Sequence, residues 1–336
     1  MAQISRMTVA VLCFSMGTFS SYLVWSYFLS HSLRCLRRQH AHQVTSQQDY
    51  KSEGVFRRFE NERCHKDNDT EAKLLEKTVR VLCWIMTGPK NLDKKAIHVK
   101  NTWGRRCNIL LFMSSVRNDS FPTVGLNVSE GRNHLTAKTM EAFRYVHENH
   151  LADADWFLKA DDDTYVILEN LRHFLSDKDC TVPVFYGHHF SPSFLKNKNG
   201  YFAGGAGYIL SKAALVKLYK YGKNESNCRQ DGGMEDIEMG VCMEKLNVTR
   251  GNTTDSHGRR RFHAFRPEVF LHGLYNDRFD DYDGESGAIK GMGAISDFAV
   301  SFHYVQPPMM YDLEFYVYHL RPYGISSHPH DIDVPI

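Results

Sequence analysis

The chain has 336 residues, 42% of them hydrophobic and 24% charged, which is the make-up of a folded protein of one large domain or two ordinary ones. That composition excludes wholesale disorder and a multi-span membrane protein. Lys plus Arg number 41 against 39 Asp plus Glu, and the resulting charge of +2 is too balanced for a nucleic-acid partner reached by bulk electrostatics, so an anionic ligand has to be met locally.

The first element in the chain is apolar. Met7 to Ser30 carry no charged residue, and at about 1.5 Å per residue such a helix crosses a hydrocarbon core about 30 Å thick. The run exceeds the apolar region of a cleaved signal peptide and has no clear small-x-small cleavage site at its end, so it reads as an uncleaved signal-anchor over 7–30 with a short cytosolic tail at 1–6. Arg34, Arg37 and Arg38 outnumber Arg6, and by the positive-inside rule this would put the C-terminal side in the cytosol. The downstream sequence overrules that count. Asn-x-Ser/Thr occurs at Asn68, Asn118, Asn127, Asn224, Asn247 and Asn252, and six cysteines follow Cys35, a combination that favours an oxidising, glycan-bearing compartment.

Residues 31–77 are polar and lack lasting apolar periodicity, as in a stem that joins no core. From Val79 short apolar runs alternate with helix-period stretches, the pattern of a mostly parallel α/β domain over 78–336. Candidate strands are Val79–Thr87, Asn108–Ser115, Asp155–Ala160, Val184–Gly187, Phe202–Leu210 and Ala299–Val305. Leu135, Thr139, Ala142, Phe143 and Val146 fall at helical spacing, Val166 to Leu175 gives a second helix, and Ala213 to Tyr219 a third.

The sharpest chemical feature is Trp156 to Tyr165, an apolar strand that ends in Asp161-Asp162-Asp163. In open α/β sheets ligands bind beyond the carboxyl ends of strands. Adjacent carboxylates there repel one another unless a cation compensates, and on extended backbone Asp161 and Asp163 face one way while Asp162 turns aside. An acidic N-cap on the following helix is the plain alternative for Asp163. His303, inside the strand-like Ser301-Phe302-His303-Tyr304-Val305, has by itself the pattern of a satisfied core residue; with the acidic triplet it becomes a nitrogen donor suited to Mn²⁺ with oxygen ligands. Gly232-Gly233-Met234-Glu235-Asp236 is a glycine-flexed turn entering a helix; its acids suit the helix dipole, and either Glu235 or Asp236 can accept a proton from a substrate hydroxyl if the turn borders the metal site.

Neither G-x-G-x-x-G nor G-x-x-x-x-G-K-[ST] occurs, so a nucleoside diphosphate would be held through the metal and cations such as Arg132 or Lys138, near the Glu130-Gly131-Arg132 turn. Gly204-Gly205-Ala206-Gly207 can bring backbone close to a ligand, although glycines in a strand pattern more often mark a bulge or tight packing. No Gly-x-Ser-x-Gly elbow or His-Glu-x-x-His pair supports a hydrolase, and the 18 histidines show no structural-zinc spacing.

Val81 to Pro89, His98 to Gly104 with Cys107-Asn108, Glu130-Gly131-Arg132, the strand and triplet at 155–168, Gly204 to Tyr208, Glu235-Asp236, Ser301 to Val305 and Tyr318 to Gly324 occur in one order. Together they resemble the core-1 β1,3-galactosyltransferase family over nearly all of 79–325. The resemblance implies a Golgi type II membrane enzyme with a glycosyltransferase-A fold. Its chemistry would move galactose from UDP-galactose to the 3-hydroxyl of GalNAc on Ser or Thr of a glycoprotein, with Mn²⁺. By position, Asp161, Asp163 and His303 would hold the metal and Asp236 would be the base. Met86, Glu130, Gly131, Arg132, Lys138 and Asp161 would lie along the nucleotide, and Glu235, Tyr304 and Gly205 on the acceptor side. Cys83 would pair with Cys107 and Cys228 with Cys242, which leaves Cys64 and Cys180 as further partners and Cys35 for an intermolecular bond in a homodimer.

One stretch departs from the family pattern. Leu271 to Asp283 is poor in Trp where the family is Trp/Tyr-rich, and Gly291 to Asp297 lacks the family's Cys-Cys before Ser-Asp. The acceptor is therefore less fixed than the donor. The alternatives are an enzyme of this fold with another acceptor and a non-catalytic chaperone or glycan-binding relative; the retained acidic triplet, His303 and Asp236 favour the enzyme.

Overall fold

The computed structural model describes residues 68–192, 200–275 and 289–322. Cys35, Cys64, the candidate anchor at 7–30 and most of the candidate stem lie outside them, and no helix among the described residues is long and apolar enough to cross a membrane. The described residues belong to one compact unit, Asp67–Ile336.

That unit opens on α1 (Thr70–Thr78), a helix with no buried residue, although the polar stem reading gave this stretch no lasting helical pattern. Leu75 packs on the core and the Glu76 carbonyl accepts from Asn108 Nδ2 at 2.8 Å, so tertiary contacts supply what the sequence pattern lacks. A seven-stranded sheet follows, with the short helix α2 (Ile97–Asn101) after its first strand. Its strands are β1 (Val81–Met86), β2 (Ile109–Ser114), β3 (Thr123–Gly125), β4 (Trp156–Asp161), β6 (Val184–Gly187), β9 (Tyr208–Ser211) and β10 (Thr249–Arg250), in the order β10-β6-β9-β4-β1-β2-β3. All pairs are parallel except those of β9, which runs antiparallel to both β4 and β6, so the sheet is mixed.

Strand β1 is buried along its whole length and serves two cores by simple alternation. Val81, Cys83 and Ile85 enter one apolar cluster, and Leu82, Trp84 and Met86 the other. The second cluster is roofed by α3 (Leu135–His150), whose Thr139, Ala142, Phe143 and Val146 are buried at the expected spacing; Trp84 meets Phe143 edge to face at 5.1 Å. The first is covered by α4 (Leu168–Leu175).

Several expected boundaries move, and the run expected as a strand over Ala299–Val305 is strand only at Ser301–Phe302. The second helix starts at Leu168 because Tyr165–Val166 instead form β5, paired antiparallel with β12 (Ser301–Phe302), which in turn pairs parallel with β11 (Phe262–His263). The run 202–210 splits into β8 (Tyr201–Phe202), which pairs with β7 (His189–Phe190), a 3₁₀ turn at Gly204–Ala206, and β9; Gly207 at φ 76° makes the corner. The third helix, α5 (Lys212–Tyr221), begins at Ser211, whose Oγ accepts from Ala214 N. Further on, α6 (Glu235–Lys245) follows the glycine turn, α7 (Pro267–Leu271) is short, and α8 (Pro307–Tyr318) closes the described chain. Disulfides join Cys83 to Cys107 and Cys228 to Cys242, as the resemblance implied, and Cys180 alone of the described cysteines stands outside a disulfide.

Candidate active site

The site lies beyond the C-terminal ends of β1 and β4, where Met86 is in register with Asp161. Three chain segments make it. The acidic triplet comes first; Ser301 to Val305 comes second, brought alongside by the β5–β12 pairing and by Val305 N donating to Asp163 O at 2.9 Å. Tyr304 takes φ 57° at the bend between them. The third is the turn Gly204–Ala206, held when Thr164 Oγ1 donates to Gly205 O at 2.8 Å and Ser301 Oγ donates to Ala206 O.

These contacts gather Asp161, Asp163 and His303, whose ligand atoms all lie within 4.8 Å of one another. His303 Nε2 is 3.3 Å from Asp163 Oδ1. Two carboxylates and an imidazole on a half-buried surface form a donor set that fits a divalent ion tolerant of mixed oxygen and nitrogen ligands. Asp162 turns aside as the alternation predicts, and its Oδ2 accepts from Thr87 Oγ1 at 2.9 Å and Asn91 Nδ2 at 2.8 Å. Asp163 caps no helix, since α4 starts five residues later. Burial would push its carboxyl up, but His303 and Lys95 together hold it well below the usual range. The imidazole packs so closely on the turn that a Cβ added at Gly205 would fall 1.9 to 2.3 Å from His303 ring atoms.

Sequence reasoning missed two lysines. Lys159, 1% exposed, shares a strand face with Asp161; its Nζ donates to Asp161 Oδ1 at 2.6 Å and Gly204 O at 3.0 Å, and stands 3.9 Å from Glu235 Oε2. A lysine two residues before an aspartate in an apolar strand was the available signal. Lys95 Nζ lies 2.9 Å from Asp163 Oδ2 and 3.6 Å from Asp162 Oδ1; nothing in its local sequence marks it.

Glu235 and Asp236 part company in the structure. Glu235 is buried and accepts from Tyr208 OH at 2.7 Å and Thr139 Oγ1 at 2.9 Å, with burial pushing its carboxyl up against the pull of Lys159. Asp236 is less enclosed. Its Oδ2 accepts from Gly204 N at 3.3 Å and its Oδ1 from Ile237 N at 2.9 Å, and burial raises its carboxyl against those two N–H groups. Gly204 thus touches Asp236 while Gly205 faces His303, so two successive residues of one turn link the acidic helix end to the triplet. Gly232 and Gly233, at φ 70° and 72°, shape the loop before α6; Thr136 Oγ1 donates to Gly232 O at 2.7 Å and ties it to α3.

The expected nucleotide residues gather at the end of β1. Glu130 Oε1 accepts from Ser115 N at 3.1 Å and Lys138 Nζ at 2.7 Å; burial acts to raise its carboxyl, but these partners bring it below the usual range. Lys138 is 2% exposed and also donates to Thr87 O at 2.8 Å, so its ammonium is enclosed by the protein. Gly131 adopts φ 120°, and Arg132 is exposed on the turn that follows. Tyr304, 46% exposed, stacks between His303 at 3.8 Å and Phe265 at 5.9 Å. Where the resembled family has Cys-Cys, Ala294 is buried and Ile295 half-buried against the cluster around Phe270; residues 276–288 lie outside the described chain.

The Fringe-like family matches residues 79–306. Glycoprotein-N-acetylgalactosamine 3-beta-galactosyltransferase 1 of Xenopus laevis is 43% identical over 261 residues, which span 77% of this chain and 71% of that protein. The human beta-1,3-glucosyltransferase is 28% identical over 153 residues, 45% of this chain and 30% of its own. Among solved structures, the galactosyltransferase LgtC with donor and acceptor sugar analogues aligns with 71% of this chain and 97% of its own at 13% identity and a TM-score of 0.39, a likeness too loose to build on.

Proposed function

The chain belongs to the Fringe-like family and, within it, to the core-1 β1,3-galactosyltransferases; from that membership we propose that it transfers galactose from UDP-galactose to the 3-hydroxyl of GalNAc α-linked to Ser or Thr. The observation that carries the reading is the meeting of Asp161, Asp163 and His303 with Asp236 across the Gly204–Gly205 turn. Asp161, Asp163 and His303 would hold Mn²⁺, which supplies stabilisation of the negative charge on the departing diphosphate.

The chain's own groups do the rest. Inversion at the anomeric carbon is a single in-line displacement, so one carboxylate that accepts the acceptor's hydroxyl proton is enough and no covalent nucleophile is required. Asp236 takes that role. Its raised carboxyl is the better base, and the N–H groups of Gly204 and Ile237 fix its orientation. Glu235 braces the same helix end through Tyr208, Thr139 and Lys159 and borders the acceptor from within. Tyr304, half exposed, and Gly205, against which the His303 ring packs, would border the acceptor. Met86, Glu130 and Gly131 line the donor side.

The same reading places the enzyme in the Golgi membrane as a single-pass type II protein with the domain from residue 78 in the lumen. Two disulfides in that domain and exposed sequons at Asn127, Asn224, Asn247 and Asn252 support it. Asp236→Asn tests the chemistry. UDP should still bind while turnover falls about 10²- to 10⁴-fold, the usual weight of a general base; unchanged turnover removes Asp236 as the base.

A further inference from the structure

A donor diphosphate carries two or more negative charges, and the sequence has no glycine-rich loop to cradle them. Besides a metal it needs a cation that is close to the metal-holding carboxylates and reachable from solvent. Lys138 is ruled out because its ammonium is buried between Thr87 O and Glu130. Lys159 touches Asp161 but is 1% exposed and locked to Gly204 O.

Lys95 meets both conditions. It sits on the π-helical turn Leu92–Ala96 after β1, anchored by buried Leu92 and Ala96 and by Lys95 N donating to Asn91 O at 2.8 Å. Its side chain keeps 32% exposure, and its Nζ lies 2.9 Å from Asp163 Oδ2. The other oxygen of that carboxylate, Oδ1, faces His303. One carboxylate thus has the candidate metal position on one side and an ammonium on the other. A lysine ammonium has three N–H donors, and the two carboxylate contacts do not exhaust them.

We propose that Lys95 binds the donor's diphosphate, bridging from Asp163 to a phosphate oxygen and sharing that group's charge with the metal. This rests on the UDP-sugar reading given above. The test uses the full-length protein with Mn²⁺, titrating UDP by calorimetry and uridine by ligand-observed NMR, in wild type, Lys95→Met and Lys95→Arg.

The expected result is a roughly tenfold loss of UDP affinity in Lys95→Met, the scale of one charge-assisted hydrogen bond, with uridine binding unchanged. Lys95→Arg should stay within about threefold of wild type, since it keeps the charge. Lys95→Met binding UDP as wild type does would overturn the assignment. So would equal losses of UDP and uridine in both variants, which would mark Lys95 as merely structural. Failure of the wild type to bind UDP with Mn²⁺ would instead sink the donor reading, and this proposal with it.

Discussion

Gly205 shows how tightly a single residue can constrain the site. With the Tyr304 ring 3.8 Å away on one side and the turn on the other, the His303 imidazole has little room to yield to a new methyl group. Gly205→Ala should therefore displace the imidazole and weaken Mn²⁺ binding about tenfold or more while the fold persists, as one ligand leaves the set. Unchanged metal affinity in a calorimetric titration would show that His303 is not a ligand. Asp161 and Asp163 were legible in the sequence because strand alternation sorts carboxylates by side; His303, which stands just past β12, became a candidate donor only beside the acidic triplet. Lys159 left a fainter trace, a cation in an apolar strand. Lys95 left none, since it reaches Asp163 from 68 residues away by the path of the chain after β1.

Among the elements, α8 depends on a buried ion cluster. Glu314, 2% exposed, accepts from Arg105 and Arg106 and from Tyr165 OH at 3.0 Å, while the Arg106 guanidinium lies 3.7 Å from the Tyr318 ring centre. Glu314→Ala would leave Arg106 without its buried partner and should cost about 3 kcal/mol or more, read as a lower thermal midpoint. Burial would raise the Glu314 carboxyl, but Arg106 and Arg105 outweigh it and bring it below the usual range. Its stabilising effect is then fully present above the unfolded value of about 4.3 and disappears as pH falls through the lower folded value. Wild type and Glu314→Gln should accordingly differ in midpoint at neutral pH and converge in acid; a constant gap would contradict the ion-pair account. Elements carried by local periodicity, such as α3 and β1, were readable in advance. The split of 202–210 and the strand at Tyr165–Val166 were not, because tertiary partners decide them: β7 pairs with β8, Ser301 holds Ala206 O from 95 residues away, and β12 captures β5.

For the whole molecule, two sheets bring distant segments together: 161–163 ends a central strand of the mixed sheet, and 301–305 begins with β12 of the three-stranded sheet β11-β12-β5. The sequence suggested a mostly parallel sheet, and every pair but those of β9 is parallel; β9 leaves the site in place because β1 and β4 stay parallel neighbours. Near-zero net charge also finds its explanation at this scale. Lys95 and Lys159 are concentrated on the acidic triplet, so local cations replace a broad basic surface. Ala294 and Ile295 are packed where the resembled family's pattern has Cys-Cys, and the choice of acceptor is the part of the proposed function that experiment must decide. The deciding measurement is transfer by the full-length protein, with Mn²⁺ and UDP-galactose, to a GalNAc-O-peptide set beside other glycan acceptors, with the product linkage read by NMR. The account predicts β1,3-linked galactose on the GalNAc-O-peptide in preference to the others; turnover confined to a different acceptor would contradict it.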